Sequence, residues 1–374
     1  MRSLYIGLMS GTSLDGIDGV LVDFGDLEHS GRLAVLAHRS RGYDRDQAHE
    51  LLELNRAGGV DELHRAALAA NALARLSAEI VSDLLACSGT GADQVLAIGA
   101  HGQTVRHRPR EFDGVGYTLQ LNAPALLAEL TGIDVVADFR SRDVAAGGIG
   151  APLVPAFHRA VFGRQGMAGA VLNIGGMSNL SALHADGGVT GFDCGPGNVL
   201  LDLWCLRQTG NPYDADGAWA ATGRVDHRML AALQSEPYFA LPAPKSTGRD
   251  LFHTGWLDRH LGATTARPVD VQATLSALTA WVCARDVTMH APEARELLVC
   301  GGGALNADLM RRLGAALPAR AVMGTDARGL PVQQVEACAF AWLARAFTRR
   351  EPANLPSVTG AAGARVLGAL YPVG

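Results

Sequence analysis

Residues 4–24 read LYIGLMSGTSLDGIDGVLVDF, and residues 170–183 read AVLNIGGMSNLSAL. Each stretch opens as an apolar, strand-like run and breaks at a turn, Ser10-Gly11-Thr12-Ser13 in the first and Gly175-Gly176 in the second. Each then resumes as a second apolar run. That is the pattern of strand, tight turn and strand. Two such units far apart in one chain point to a duplicated fold. Leu33 to Gly42 reads as a third strand, so the chain opens as a β-meander.

Outward from the first unit, residues 61–87 carry Leu63, Ala67, Ala70, Leu73, Leu76, Ile80 and Leu84 at helical spacing, with Asp61 as the expected N-cap. Short strands and helices then alternate: a strand at 95–100, a strand at 118–121, a helix at 123–131 and a strand at 134–137. In the second half, helices are expected at 197–208, 250–261, 269–290, 306–317 and 331–348, with a strand at 297–300. This is an α/β chain. At 374 residues it exceeds the size at which one core usually stops growing, so two domains with a ligand cleft between them are expected.

The balance of 32 basic and 37 acidic residues, net −5, contains no long run of one sign. It therefore carries no electrostatic footprint for nucleic acid or an anionic membrane, and a small-molecule partner is favoured. The cysteines, Cys87, Cys194, Cys205, Cys283, Cys300 and Cys338, are scattered through apolar segments without a CxxC pair and read as reduced thiols of a cytoplasmic protein. No segment approaches the roughly 20 apolar residues needed to span a bilayer.

Several constellations carry chemistry. In the Gly11 to Asp18 stretch, backbone N–H groups and hydroxyls can face phosphate oxygens, and Asp15 or Asp18 can hold magnesium through water; the same residues also suit an ordinary hairpin. Gly175-Gly176 and Gly301-Gly302-Gly303 are two further glycine turns at strand ends, the latter followed by Asn306, a helix cap. Asp193 sits at the end of an apolar strand before the rigid turn Gly195-Pro196-Gly197. There it can serve as a general base or cap the next helix. Arg140 and Arg142 can clamp a carboxylate or phosphate, or form structural ion pairs. His101 and His107 lie just past a strand, and no His/Cys spacing matches zinc. Lys245-Ser246-Thr247-Gly248-Arg249-Asp250 suits an anion or, more simply, an N-cap.

Together these blocks resemble the anhydro-N-acetylmuramic acid kinase family of the actin/hexokinase/Hsp70-like sugar kinase superfamily. The matching segments are GLMSGTSLDGID from Gly7, GAHGQTVRH from Gly99, ADFRSRDVAAGGIGAPLVPAFH from Ala137, LNIGGMSNLS from Leu172, GFDCGPGN from Gly191, KSTGRDLF from Lys245, GGGALN from Gly301 and VEACAFAWLA from Val335. The resemblance implies a two-domain actin-like ATPase with a ribonuclease H-like duplicated fold and an interdomain cleft. Residues 1–138 would form the first domain, completed by 350–374, and residues 139–349 the second. It implies a cytoplasmic ATP- and Mg²⁺-dependent kinase of peptidoglycan recycling, and a homodimer. Asp193 would be the catalytic base that activates water. Gly11, Thr12, Ser13, Leu14, Asp15, Gly16, Ile17, Asp18, Gly175 and Gly176 would serve the triphosphate, with Gly301, Gly302 and Gly303 near the adenosine. Arg140, Glu336 and His101 are the candidates for the sugar side. The rival readings are a kinase for another anhydrosugar such as levoglucosan, and a non-kinase ATP-binding regulatory module on the same scaffold.

Overall fold

The structure, a computed structural model, describes residues 3–11, 14–27, 31–262 and 264–374. Its first strand, β1 (Leu4–Ser10), is buried along almost its whole length, as a central strand covered on both faces must be. Leu4, Ile6 and Leu8 share one apolar cluster with Leu73, Ile80 and Leu84 of the long helix Glu62–Ser88. On the opposite face, Gly7 stands beneath the helix Val335–Thr348. A Cβ at Gly7 would fall 1.9 Å from the Ala337 carbonyl oxygen, and one at Gly99, its register partner on the next strand, 2.0 Å from that of Phe340. The two glycines let the helix backbone lie directly on the sheet.

β1 pairs antiparallel with β2 (Gly16–Asp23), which pairs antiparallel with β3 (Ala34–Gly42). On its other side β1 pairs parallel with β4 (Val95–Ala100). A separate hairpin follows, β5 (Gln103–Pro109) with β6 (Gly116–Leu121), and then β7 (Val135–Ala137), parallel to β4. The second half repeats this order. β8 (Gly169–Ile174) pairs antiparallel with β9 (Met177–Leu183), which pairs antiparallel with β10 (Val189–Pro196). β8 also pairs parallel with β11 (Glu296–Cys300), and that strand with β12 (Ala321–Gly324). Both sheets run third, second, first, fourth, fifth strand, with the same senses. The expected duplication therefore lies in the topology. The first sheet gains β13 (Ala369–Tyr371) antiparallel to β7.

The chain divides into two compact units, Met1–Val161 with Gln334–Gly374, and Phe162–Gln333. The first boundary thus falls after residue 161, where the sequence reading put it after 138, and the second before Gln334, not after residue 349. Buried polar bonds and packing explain both shifts. Asp143, wholly buried, accepts from Asn354 Nδ2 at 2.7 Å and Thr359 Oγ1 at 2.8 Å, and Phe157 packs on Trp342. Residues 139–161 are therefore tied to the C-terminal segment, and Gly7 and Gly99 hold helix Val335–Thr348 to the first sheet. In the second unit the helix Pro268–His290 is buried nearly all round among Leu172, Phe192, Phe239 and Phe252.

Candidate active site

In the first unit the β1–β2 turn spans Gly11 to Asp15; Thr12 and Ser13 lie outside the described residues. Leu14 takes a left-handed φ of 58° and Asp15 is exposed. Gly16, Ile17 and Asp18 already belong to β2, and Ile17 faces the core. Asp18 Oδ1 accepts from Ser40 Oγ at 2.8 Å and contacts His38 Nε2 at 3.3 Å, both on β3. Among the described residues no group of three or more His, Cys, Asp and Glu side chains is arranged to hold a metal.

The turn joins a buried polar network. Ser10 Oγ donates to Gln103 Oε1, and the Tyr43 hydroxyl lies against Ser10 Oγ. Burial pushes the Tyr43 phenol up to about 12. His101, buried beside Phe340, has its Nδ1 3.0 Å from the Ser10 carbonyl oxygen. Its Nε2 receives both Arg140 Nε at 3.2 Å and Arg140 Nη2 at 3.0 Å. Such a pair of bonds requires a neutral ring with its proton on Nδ1. Burial, and then the neighbouring Arg140 charge, hold its pKa down at about 3. Arg140 Nη1 also donates to the Gly150 carbonyl at 2.8 Å, while Asp143 Oδ2 accepts the Gly150 N–H at 2.8 Å. Glu336 stands in the first turn of helix Val335–Thr348, one turn before the Phe340 that packs on His101. The structure therefore brings Ser10, His101 and Arg140 into one hydrogen-bonded group. Both ring nitrogens of His101 are engaged within the protein, Nδ1 with Ser10 and Nε2 with Arg140.

In the second unit, glycines gather at the C-terminal ends of β8 and β11. The Gly175 and Gly176 carbonyls accept from Asn198 N at 2.8 Å and Gly197 N at 2.9 Å. Gly301 has φ +79°, and a Cβ there would meet Asn173 Oδ1 at 2.4 Å. A Cβ at Gly303 would meet Ile174 Cγ2 at 2.4 Å. Those two glycines are demanded by packing. By contrast, a Cβ at Gly176 would meet nothing within 4 Å, and one at Gly302 only Asn198 Nδ2 at 3.5 Å. Asn306 caps its helix as expected, with Oδ1 2.9 Å from Leu309 N. The Oδ1 of Asn173, a residue 3% exposed, has no hydrogen-bond partner among the described residues.

Asp193 lies on β10 at an irregularity, where the register with β9 shifts between Asp193 and Gly195. Bulges of this kind re-aim a side chain. It does not cap the following helix, Val199–Thr209, which has no side-chain cap. Its Oδ2 accepts Ser246 Oγ–H at 2.7 Å and Thr247 N–H at 3.1 Å. The loop at Lys245 therefore donates to the Asp193 carboxylate and does not serve as an N-cap. The next helix, Thr254–Leu261, is capped by His253. Lys245 itself is 7% exposed, its Nζ 3.6 Å from Asp286 Oδ2. Burial, the leading influence, raises the Asp286 pKa against the opposing pull of Lys245 and Arg285. Burial and then the Asp193 charge push the Tyr238 phenol far up, and its hydroxyl donates to the Asp193 carbonyl at 2.7 Å. Ser246, Thr247 and Tyr238 were not singled out as site residues from sequence. The one signal for Ser246 and Thr247 was the KSTGRDLF block, and Tyr238 lies outside it.

Two units built on one strand order, with glycine-lined strand ends, define a duplicated α/β protein. The chain belongs to the anhydro-N-acetylmuramic acid kinase family, whose sequence profile matches residues 3–373. It is 62% identical to the anhydro-N-acetylmuramic acid kinase of Variovorax paradoxus over 99% of both chains, and 59% identical to that of Albidiferax ferrireducens over 100% of both. Among solved structures it is similar to a ROK family glucokinase from Streptomyces griseus in complex with glucose and AMPPNP. That likeness has 13% identity, a TM-score of 0.42, and covers 92% of this chain and 99% of that one. No helix among the described residues is long and apolar enough to cross a membrane.

Proposed function

We propose that this chain converts 1,6-anhydro-N-acetylmuramic acid, water and ATP to N-acetylmuramic acid 6-phosphate and ADP, a step of peptidoglycan recycling. Water attacks the anomeric carbon, and its proton passes to the Asp193 carboxylate. The bond from that carbon to O6 breaks, and O6 takes the γ-phosphoryl group as the bond to ADP breaks. The first half corresponds to the base-assisted attack of an inverting glycosidase. The observation that carries this reading is the Asp193 carboxylate, set on a rigid strand and held through Oδ2 by Ser246 and Thr247.

Phosphoryl transfer needs mainly positioning and charge neutralisation. The Gly11–Asp15 turn and Gly175-Gly176 are assigned to the triphosphate, and Gly301 to Gly303 to the adenosine. Mg²⁺, when bound, neutralises charge on the phosphoryl oxygens. The carboxylates of Asp15 and Asp18 suit it through water as hard oxygen donors. Arg140 is assigned to the lactyl carboxylate of the sugar, with His101 holding its guanidinium, and Glu336 to the hydroxyl or amide groups. A cation at that position favours the acidic muramic sugar over levoglucosan. A homodimer and a cytoplasmic location complete the reading.

Turnover in ¹⁸O-labelled water tests the coupling. The label is expected at the anomeric hydroxyl of the phosphorylated product, and its absence there contradicts water attack at that carbon.

A further inference from the structure

We infer that Ser246, together with the Thr247 amide, is a positioning residue that fixes the Asp193 carboxylate for proton abstraction. The inference rests on the reading of Asp193 as the base.

A base on a single-bonded side chain turns about its last torsion, which is broad for aspartate. Two donors on Oδ2, one a side-chain hydroxyl and one a main-chain amide, restrict that rotation. Hydrogen bonds to an ionised acceptor are the stronger kind. The donors sit on a segment that is itself bonded to the strand they serve, and the backbone of Asp193 is held at both its N–H and its carbonyl. Asp193 N donates to the Lys245 carbonyl at 3.1 Å, and the Tyr238 hydroxyl bonds the Asp193 carbonyl.

The segment is further fixed by a buried cation. The Lys245 ammonium lies 5.0 Å from the Tyr238 ring centre and 5.6 Å from that of Phe192, beside Asp286, whose other oxygen is 3.0 Å from Arg285 Nη1. A lysine this enclosed holds its main chain in place, so Ser246 and Thr247 are delivered to Asp193 by rigid scaffold. Ser246 itself is exposed. Removing its hydroxyl touches the carboxylate and little of the core.

The test measures kcat, the KM values for sugar and ATP, and the melting temperature of Ser246→Ala, Ser246→Thr and Asp193→Asn. Ser246→Ala is expected to lose about tenfold in kcat, the loss of roughly one charge-assisted hydrogen bond, with the ATP KM and melting temperature unchanged. Ser246→Thr, which keeps the hydroxyl, is expected to restore kcat to within about twofold. An Ala variant with wild-type kcat, or a Thr variant as slow as Ala, overturns the inference if Asp193→Asn is inactive. An active Asp193→Asn enzyme overturns the base assignment itself, and the positioning role falls with it.

Discussion

At Gly303 a methyl group would press on Ile174, whereas at Gly176 it would meet open space. The two glycines therefore separate packing from ligand approach. Gly303→Ala is expected to cost about 2 kcal/mol of stability, as overpacking does, measured by urea denaturation. Gly176→Ala and Gly302→Ala are expected to keep stability within about 0.5 kcal/mol and to raise the ATP KM. Unchanged ATP binding in both would remove those turns from the nucleotide site. The place of Asp193 on a strand was legible in sequence, because it follows an apolar run and precedes Gly195-Pro196-Gly197. The donors to its Oδ2 were not, because they lie more than fifty positions away in sequence and only the folded loop brings them there. The position of His101 just past a strand was legible, but the Arg140 bonds to its ring were not.

Among the elements, helix Val335–Thr348 rests on the Gly7 and Gly99 pair, so a side chain at either position must push a helix backbone off the sheet. Gly99→Ala should cost about 3 kcal/mol or more, and a variant as stable as wild type would contradict the close packing. Asp143→Ala removes the acceptor shared by the Gly150 N–H, the Asn354 amide and the Thr359 hydroxyl. A loss of at least about 3 kcal/mol is expected, read as a lowered denaturation midpoint. The strands β1, β4 and β8 and the helix Glu62–Ser88 could be read from sequence because their apolar patterns are long and continuous. β12 and β13, of 4 and 3 residues, offer too short a pattern to register. The helix Arg45–Leu54 buries only Leu51 and Leu54; its signal was the Asp44–Gln47 capping box. Asp61 was read as a side-chain cap, yet it takes a left-handed φ of 50° and makes no such bond. The Glu62 carboxylate instead reaches back to the Gly59 N–H.

On the scale of the whole molecule, the first unit buries two histidines, His101 and His158, whose pKa values burial lowers from 6.5 to about 3. The unfolded chain takes up these protons below pH 6.5 while the folded chain does not. Stability is therefore full above that pH and falls as pH drops towards 3, by roughly 1.4 kcal/mol per pH unit for each ring. The urea midpoint is expected to fall between pH 7 and pH 5, and His158→Gln, which cannot titrate, to flatten the slope. An unaltered slope in that variant would contradict the assignment. The duplication was legible from two strand, turn and strand units; the division into units was not, because Asp143 and the paired glycines tie together segments far apart in sequence.

The most direct test of the central claim is ADP release by the purified protein with Mg²⁺-ATP and 1,6-anhydro-N-acetylmuramic acid, run beside levoglucosan, N-acetylglucosamine and no sugar. Turnover only with the anhydromuramic sugar is the predicted result, whereas turnover with levoglucosan alone, or ADP release independent of any sugar, would contradict it.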